Sequence, residues 1–154
     1  MFKKKITVRS QRKLDRIKPT TNATIIVAFG TYNQPAIIRR RYNGKDGLNP
    51  VKVIGNHYVY VEDDSVVECF DNSKADVFGT ANVVLHDDAC AVAHQRCRVV
   101  ATSNRNIVTA VDTSRVSVTS SSKVYAFDDS IVHVYNPRCR VGKVGNNVKV
   151  IFLH

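Results

Sequence analysis

The sequence predicts an all-β chain, most of it a short parallel β-helix: a triangular β-solenoid of about four coils with three eight-residue repeats each. Three observations predict it. Apolar residues recur as pairs two positions apart, at a period of eight, from about residue 58 to residue 152. Asp, Asn, Gly and Ser recur between those pairs at the same period. A small residue, mostly Ser or Ala, stands two places before the first member of most pairs.

Residues 1–19 (MFKKKITVRSQRKLDRIKP) come first. They are basic and polar, lack an apolar face wide enough for a free-standing helix, and read as an extended arm. Lys3, Lys4 and Lys5 are not followed by the apolar stretch of a secretory signal, so none is expected. Nor is there a continuous apolar run of the about 18 residues that a membrane-spanning helix requires.

Residues 20–57 read as a β-rich cap and attachment segment. Residues 24–29 and 36–42 have strand character and are separated by the turn Gly30-Thr31-Tyr32-Asn33-Gln34-Pro35. Residues 43–50 read as a loop, after which Val51 leads into the repeats. A solenoid needs a cover at its end, because unpaired strand edges template aggregation, and this segment is expected to supply it. Ile151, Phe152 and Leu153 are expected to close the other end or dock on a partner.

Residues 58–154 are the expected solenoid. The first series of pairs is Val59/Val61, Val67/Cys69, Ala75/Val77, Val83/Leu85, Ala91/Ala93 and Val99/Ala101. All twelve positions are apolar, where a 44% hydrophobic chain would give about five by chance. One residue is inserted at Ser103-Asn104-Arg105-Asn106, and the period resumes with Val108/Ala110, Val116/Val118, Val124/Ala126 and Val132/Val134. It fails at Arg140/Gly142, beyond Pro137, and returns at Val148/Val150. Between the pairs lie turns such as Asp71-Asn72-Ser73, Asp87-Asp88-Ala89 and Asp128-Asp129-Ser130, whose residues tolerate left-handed backbone. Each repeat is then one short strand with two apolar side chains inward. Eight residues cannot bury such a face alone, so coils must stack. Three strands per coil give a 24-residue coil. An antiparallel sandwich is the competing architecture, but sandwiches rarely hold one period over so many strands.

The net charge of +10 is distributed unevenly. Residues 1–46 hold twelve Lys and Arg against two Asp, and residues 47–154 hold eleven of each sign. The arm cations Lys3, Lys4, Lys5, Arg9, Arg12, Lys13, Arg16 and Lys18, with the triplet Arg39, Arg40 and Arg41, are therefore candidates to bind an acidic protein surface such as a capsid shell. Nucleic acid and an anionic membrane are the alternatives, and the lack of interleaved aromatics weighs against single-stranded nucleic acid.

Catalytic motifs are missing. The chain has no phosphate-cradling Gly-rich loop, no H-E-x-x-H and no G-x-S-x-G, so neither an enzyme nor a cofactor is expected. Cys69, Cys90, Cys97 and Cys139 show no metal spacing and read as mostly buried thiols. His86 and His94, eight apart, are expected outward on different faces. Corners 24 residues apart would stack Asp63, Asp64, Asp87, Asp88 and Asp112 on one edge, a candidate Ca²⁺ column. The competing reading is that Asp is simply a good turn residue. Val84, Val92 and Val100 should face out on three successive faces and, with Phe70 and Phe78, are candidates for lateral contact with another subunit.

Segments such as Ser65-Val66-Val67-Glu68-Cys69-Phe70-Asp71-Asn72 and Asp128-Asp129-Ser130-Ile131-Val132-His133-Val134-Tyr135 resemble the octapeptide repeats of small β-helical proteins in tailed phages of gut bacteria, the crAss-like group. The resemblance implies a virion component assembled in the host cytoplasm: an auxiliary capsid protein, head decoration or head-fibre piece whose partners include the major capsid protein. A second resemblance is to bactofilins, small β-helices that polymerise end to end. Met1-Phe2-Lys3-Lys4-Lys5 is similar to their membrane-binding start, although their glycine-rich coil pattern is absent here.

Overall fold

The computed structural model describes residues 3–143 and 145–153. In chain order it contains β1 (Lys5–Val8), α1 (Gln11–Asp15), β2 (Thr24–Val27), β3 (Ala36–Ile38), β4 (Asn43–Gly44), β5 (Gly47–Leu48) and β6 (Val51–Val53). The repeats follow as β7 (Tyr58–Val61), β8 (Val66–Cys69), β9 (Lys74–Val77), β10 (Asn82–Leu85), β11 (Cys90–Ala93) and β12 (Arg98–Ala101). After the insertion come β13 (Ile107–Ala110), β14 (Arg115–Val118), β15 (Lys123–Ala126), β16 (Ile131–Val134), β17 (Arg140–Lys143) and β18 (Lys149–Phe152). From β6 onward successive strands alternate between two parallel sheets. One has the order β1-β2-β6-β8-β10-β12-β14-β16-β18 and the other β17-β15-β13-β11-β9-β7-β3. The chain is a β-solenoid of about nine turns.

The coil, however, has two sides rather than three. Val67 lies beside Val83, and Val83 beside Val99, so a coil returns after 16 residues and not 24. The inward side chains explain the flat section. From Val59 to Val134 they are Val, Ala and Cys with one Leu, all nearly inaccessible. Such short side chains fill the roughly 10 Å slot between two facing sheets, whereas a three-walled prism lined with them would hold a void.

The small residues before each pair do sit at tight inside corners: Ser65, Ser73, Ala81, Ala89, Cys97, Ser114, Ser122 and Ser130 are fully buried. Ser65, Ser73 and Ser114 each donate their hydroxyl to the carbonyl three residues back, at 2.7 Å. One residue of the turn takes left-handed backbone, with φ of 51–58° at Asp63, Asp71, Asp87, Gln95, Asp112 and Asp128. Most of these residues also link coils. The Asp71 amide donates to Asp87 Oδ2 at 3.0 Å, the Gln95 amide to Asp112 Oδ2 at 2.9 Å, and the Asp112 amide to Asp128 Oδ2 at 3.0 Å. The side chain that makes the turn thus also ties its coil to the one before.

The inserted residue at 103–106 is absorbed by Asn106, which takes the corner position and is 1% exposed. Its Nδ2 donates to the carbonyls of His86, Asp87 and Ala89, and its Oδ1 accepts from the amides of Thr102 and Ser103. After Pro137 the strand period shifts by one, and the apolar pair is broken there because an exposed lysine takes the second inward position. Val141 and Lys143 stand beside Val124 and Ala126. A further shift puts Val150 and Phe152 beside Val132 and Val134, so these two hold the inward register although Phe152 is exposed, and Val148 is a buried corner residue.

The expected extended arm and separate cap are both corrected. β1 pairs along its length with β2, β2 with β6 and β3 with β7, so residues 5–53 already build solenoid coils. Ile6 and Val8 carry the inward alternation in β1, a pattern too short to stand out from its basic flanks. Between β3 and β6 the chain leaves the coil through the small antiparallel pair β4–β5. It is anchored by the buried Asn49, whose Nδ2 donates to the carbonyls of Thr21 (3.2 Å) and Ala23 (2.8 Å). At Gly30 a Cβ would collide with the Tyr58 carbonyl oxygen, and φ is 113°, so the turn into β3 requires glycine.

Candidate functional site

The basic residues gather at the N-terminal end because α1 folds over it. Ser10 caps the helix, its Oγ accepting from the Lys13 amide at 3.3 Å. Leu14, 2% exposed, is the helix's buried residue and plugs the core. Gln11 joins the helix to the edge of β3 through two hydrogen bonds with Ile37. With these contacts made, Arg12, Lys13, Arg16 and Lys18 remain exposed, as do Lys3, Lys4, Lys5 and Arg9 around β1. Met1 and Phe2, which carry part of the bactofilin likeness, lie outside the described residues.

Arg39, Arg40 and Arg41 leave β3 directly beside the helix. A recess of about 190 Å³ is lined jointly by Leu14 and Asp15 from the helix and by Arg39, Arg40 and Tyr42 from the segment after β3. Burial pushes the Tyr42 hydroxyl pKa up; the Arg40 charge pulls it down and Asp15 raises it. Arg39 Nε meets Glu62 Oε2 at 3.2 Å in an exposed pair that contributes little to stability. The structure therefore brings the arm cations and the triplet, distant in sequence, to one end of the molecule. Gln11 and Leu14, which build this end, did not stand out in the sequence; Ser10 as a helix cap was the available signal.

The aspartate column is not formed. Asp63 and Asp112 lie at corners that follow strands of the seven-stranded sheet, Asp87 and Asp88 at corners that follow the nine-stranded one. Two strands per coil make residues 24 apart fall on opposite edges. Asp87 and Asp112 are engaged by backbone amides, and Asp88 meets Arg105 at 3.4 Å. Among the described residues, no group of three or more His, Cys, Asp or Glu could hold a metal ion.

The lateral candidates separate as well. Val84 and Val100 are neighbours on the outer face of the nine-stranded sheet, and Val92 is on the other sheet. Phe70 stacks on His86 at 4.5 Å and Phe78 on His94 at 4.7 Å, so all five candidates are partly buried instead of forming one exposed band. The two histidines do lie on different faces. Tyr58 donates to Asp76 Oδ2 at 2.7 Å, and burial, aided by this bond, holds its hydroxyl pKa far above the ordinary range. Cys69 and Cys97 are fully buried, which pushes both thiols up to about 12. Ile151, Phe152 and Leu153 remain exposed, and β18 is paired along one side.

Among the described residues no helix is long and apolar enough to cross a membrane. No family model matches the chain, and no curated protein or solved structure is significantly similar to it.

Proposed function

We propose that the protein is a non-enzymatic structural component of a phage virion, an auxiliary capsid, head-decoration or head-fibre protein attached through its basic N-terminal end. The observation that carries the reading is the gathering of eleven cations on one end of a solenoid whose remaining length is neutral. Such an end is attracted to an acidic protein shell over a Debye length of about 8 Å at physiological salt, while the solenoid projects away as a stiff body. The test is mass spectrometry of purified particles of the source phage. Finding the chain in stoichiometric amounts supports the reading, and its absence ends it. Charge-neutralised variants at Arg12, Lys13, Arg16 and Lys18 should then detach from particles while staying folded. Deleting residues 1–19 would be a poor substitute, because it removes β1 and the helix.

A second reading is a self-polymerising scaffold of the bactofilin kind. The exposed Ile151 and Phe152 on β18, which is paired along one side, favour it. It requires filaments in negative-stain micrographs of the purified protein alone. A nucleic-acid-binding module would instead show affinity for DNA or RNA falling steeply with salt.

A further inference from the structure

A recess of about 370 Å³ lies on the outer face of the nine-stranded sheet and crosses β10, β12, β14 and β16. Its base includes Val84 and Val100, which are adjacent and only partly covered. Arg98 and Arg115 line it from neighbouring strands, in direct register and both exposed. His133 and Tyr135 line it as well, Tyr135 being 53% exposed.

The two arginines form no ion pair among the described residues. Like charges placed opposite each other on adjacent strands destabilise a sheet. On the same face, Lys52 and Glu68 show the usual opposite-charge arrangement. The Arg98–Arg115 pair therefore roots two arginines one strand spacing apart, roughly 4.8 Å at the backbone, with no side-chain partner for either among the described residues.

We infer that this recess binds a phosphate monoester with an apolar or ring-shaped body. A monoester carries about −1.5 to −2 charges near neutral pH, which offsets two arginines. It also offers three terminal oxygens. One guanidinium fork satisfies both oxygens of a carboxylate, whereas a tetrahedral head has acceptors for two forks at once. The body of the ester then covers Val84 and Val100, an apolar base that inorganic phosphate cannot use. Nucleic acid fits less well, since the two ring side chains lining the recess, His133 and Tyr135, both come from β16 and the residue just after it, and single strands need a series of stacking platforms.

The experiment is a titration of the isotope-labelled full chain with phenyl phosphate, read from backbone amide NMR shifts. Saturable shifts are expected at Val84, Arg98, Val100 and Arg115, with Kd on the order of 1 mM or tighter. Inorganic phosphate and benzoate should bind the same residues more weakly. Replacing both arginines (Arg98→Gln with Arg115→Gln) should weaken binding at least about tenfold, equivalent to 1.4 kcal/mol. The control is Lys123→Gln with Arg140→Gln, a second like-charged neighbour pair, on the other sheet, which removes the same charge and should leave affinity unchanged. Val100→Glu offers an independent block through the base. The inference is overturned by the absence of saturable shifts, by shifts confined to the basic end, by equal weakening in both double variants, or by benzoate binding as tightly as phenyl phosphate.

Discussion

Gln11 pairs with the backbone of Ile37 as a strand would: its Nε2 donates to the Ile37 carbonyl and its Oε1 accepts from the Ile37 amide, both at 2.8 Å. One side-chain amide thereby satisfies the exposed edge of β3. Gln11→Glu keeps the acceptor and loses the donor, so it should cost about 1–2 kcal/mol. Gln11→Leu loses both. Hydrogen exchange should show the Ile37 amide protected in the native protein and open in Gln11→Leu, while the amides of β11 are unchanged.

Asn106 makes five hydrogen bonds from a buried corner. Asn106→Ala leaves three carbonyls and two amides without that partner. The expected loss is about 3 kcal/mol or more, a fall in Tm on the order of 10 °C for a chain of this size. Thermal unfolding by circular dichroism measures it.

Asp87 has two separable roles, left-handed backbone at φ 51° and acceptance from the Asp71 amide. Asp87→Asn preserves both and should be near neutral. Asp87→Gly keeps the backbone and loses the acceptor. Asp87→Ala loses the acceptor and strains the turn, at a total of about 2 kcal/mol. The order of denaturation midpoints should be Asn, then Gly, then Ala.

Ser130 and Ser114 occupy the same kind of corner with different bonding. Ser114 donates to Val111, whereas the buried Ser130 Oγ has no partner among the described residues. Ser114→Ala should cost about 1 kcal/mol, and Ser130→Ala should be neutral or stabilising.

Cys69 and Cys97 give the molecule an alkaline limit. Burial pushes both thiols up to about 12 from the ordinary 9.0, so the fold holds the neutral thiol. The unfolded chain ionises first as pH rises. Stability is therefore complete below about pH 9 and declines from there to about 12, with each thiol contributing about 1.4 kcal/mol per pH unit. Replacing both with Ala should flatten that decline in urea titrations from pH 8 to 11.

The strands were legible because each octad carries its own instruction: a Val or Ala pair inward, a small corner residue, and a turn former. The number of strands per coil was not, because a period of eight is common to two-sided and three-sided coils. The deciding information lies in contacts between octads two apart, such as Lys52 with Glu68 and Asp71 with Asp87, and in the small volume of the inward residues. That one error displaced the aspartate column and divided the outward valines between sheets. The N-terminal strand and helix were missed because each buries few residues. Val8 and Leu14 are single apolar anchors in a segment otherwise dominated by charge, and their burial depends on a core built mostly by later residues. Clustering of the arm cations with Arg39, Arg40 and Arg41 follows from Gln11 meeting Ile37, a contact 26 residues apart that no local pattern encodes.

Alternation between two sheets gives the chain a reading frame of sixteen. Loss of a full coil returns every later residue to its own sheet, with the same neighbours above and below. Loss of a single octad keeps every strand well formed but carries the whole downstream sequence to the opposite side. Val92 would then fall where Val84 or Val100 belongs, and a tether spanning the loss, such as Asp71 with Asp87, would be parted to opposite edges. Lineages of this molecule can therefore lengthen or shorten in double steps, and a single step amounts to a frameshift written in three dimensions.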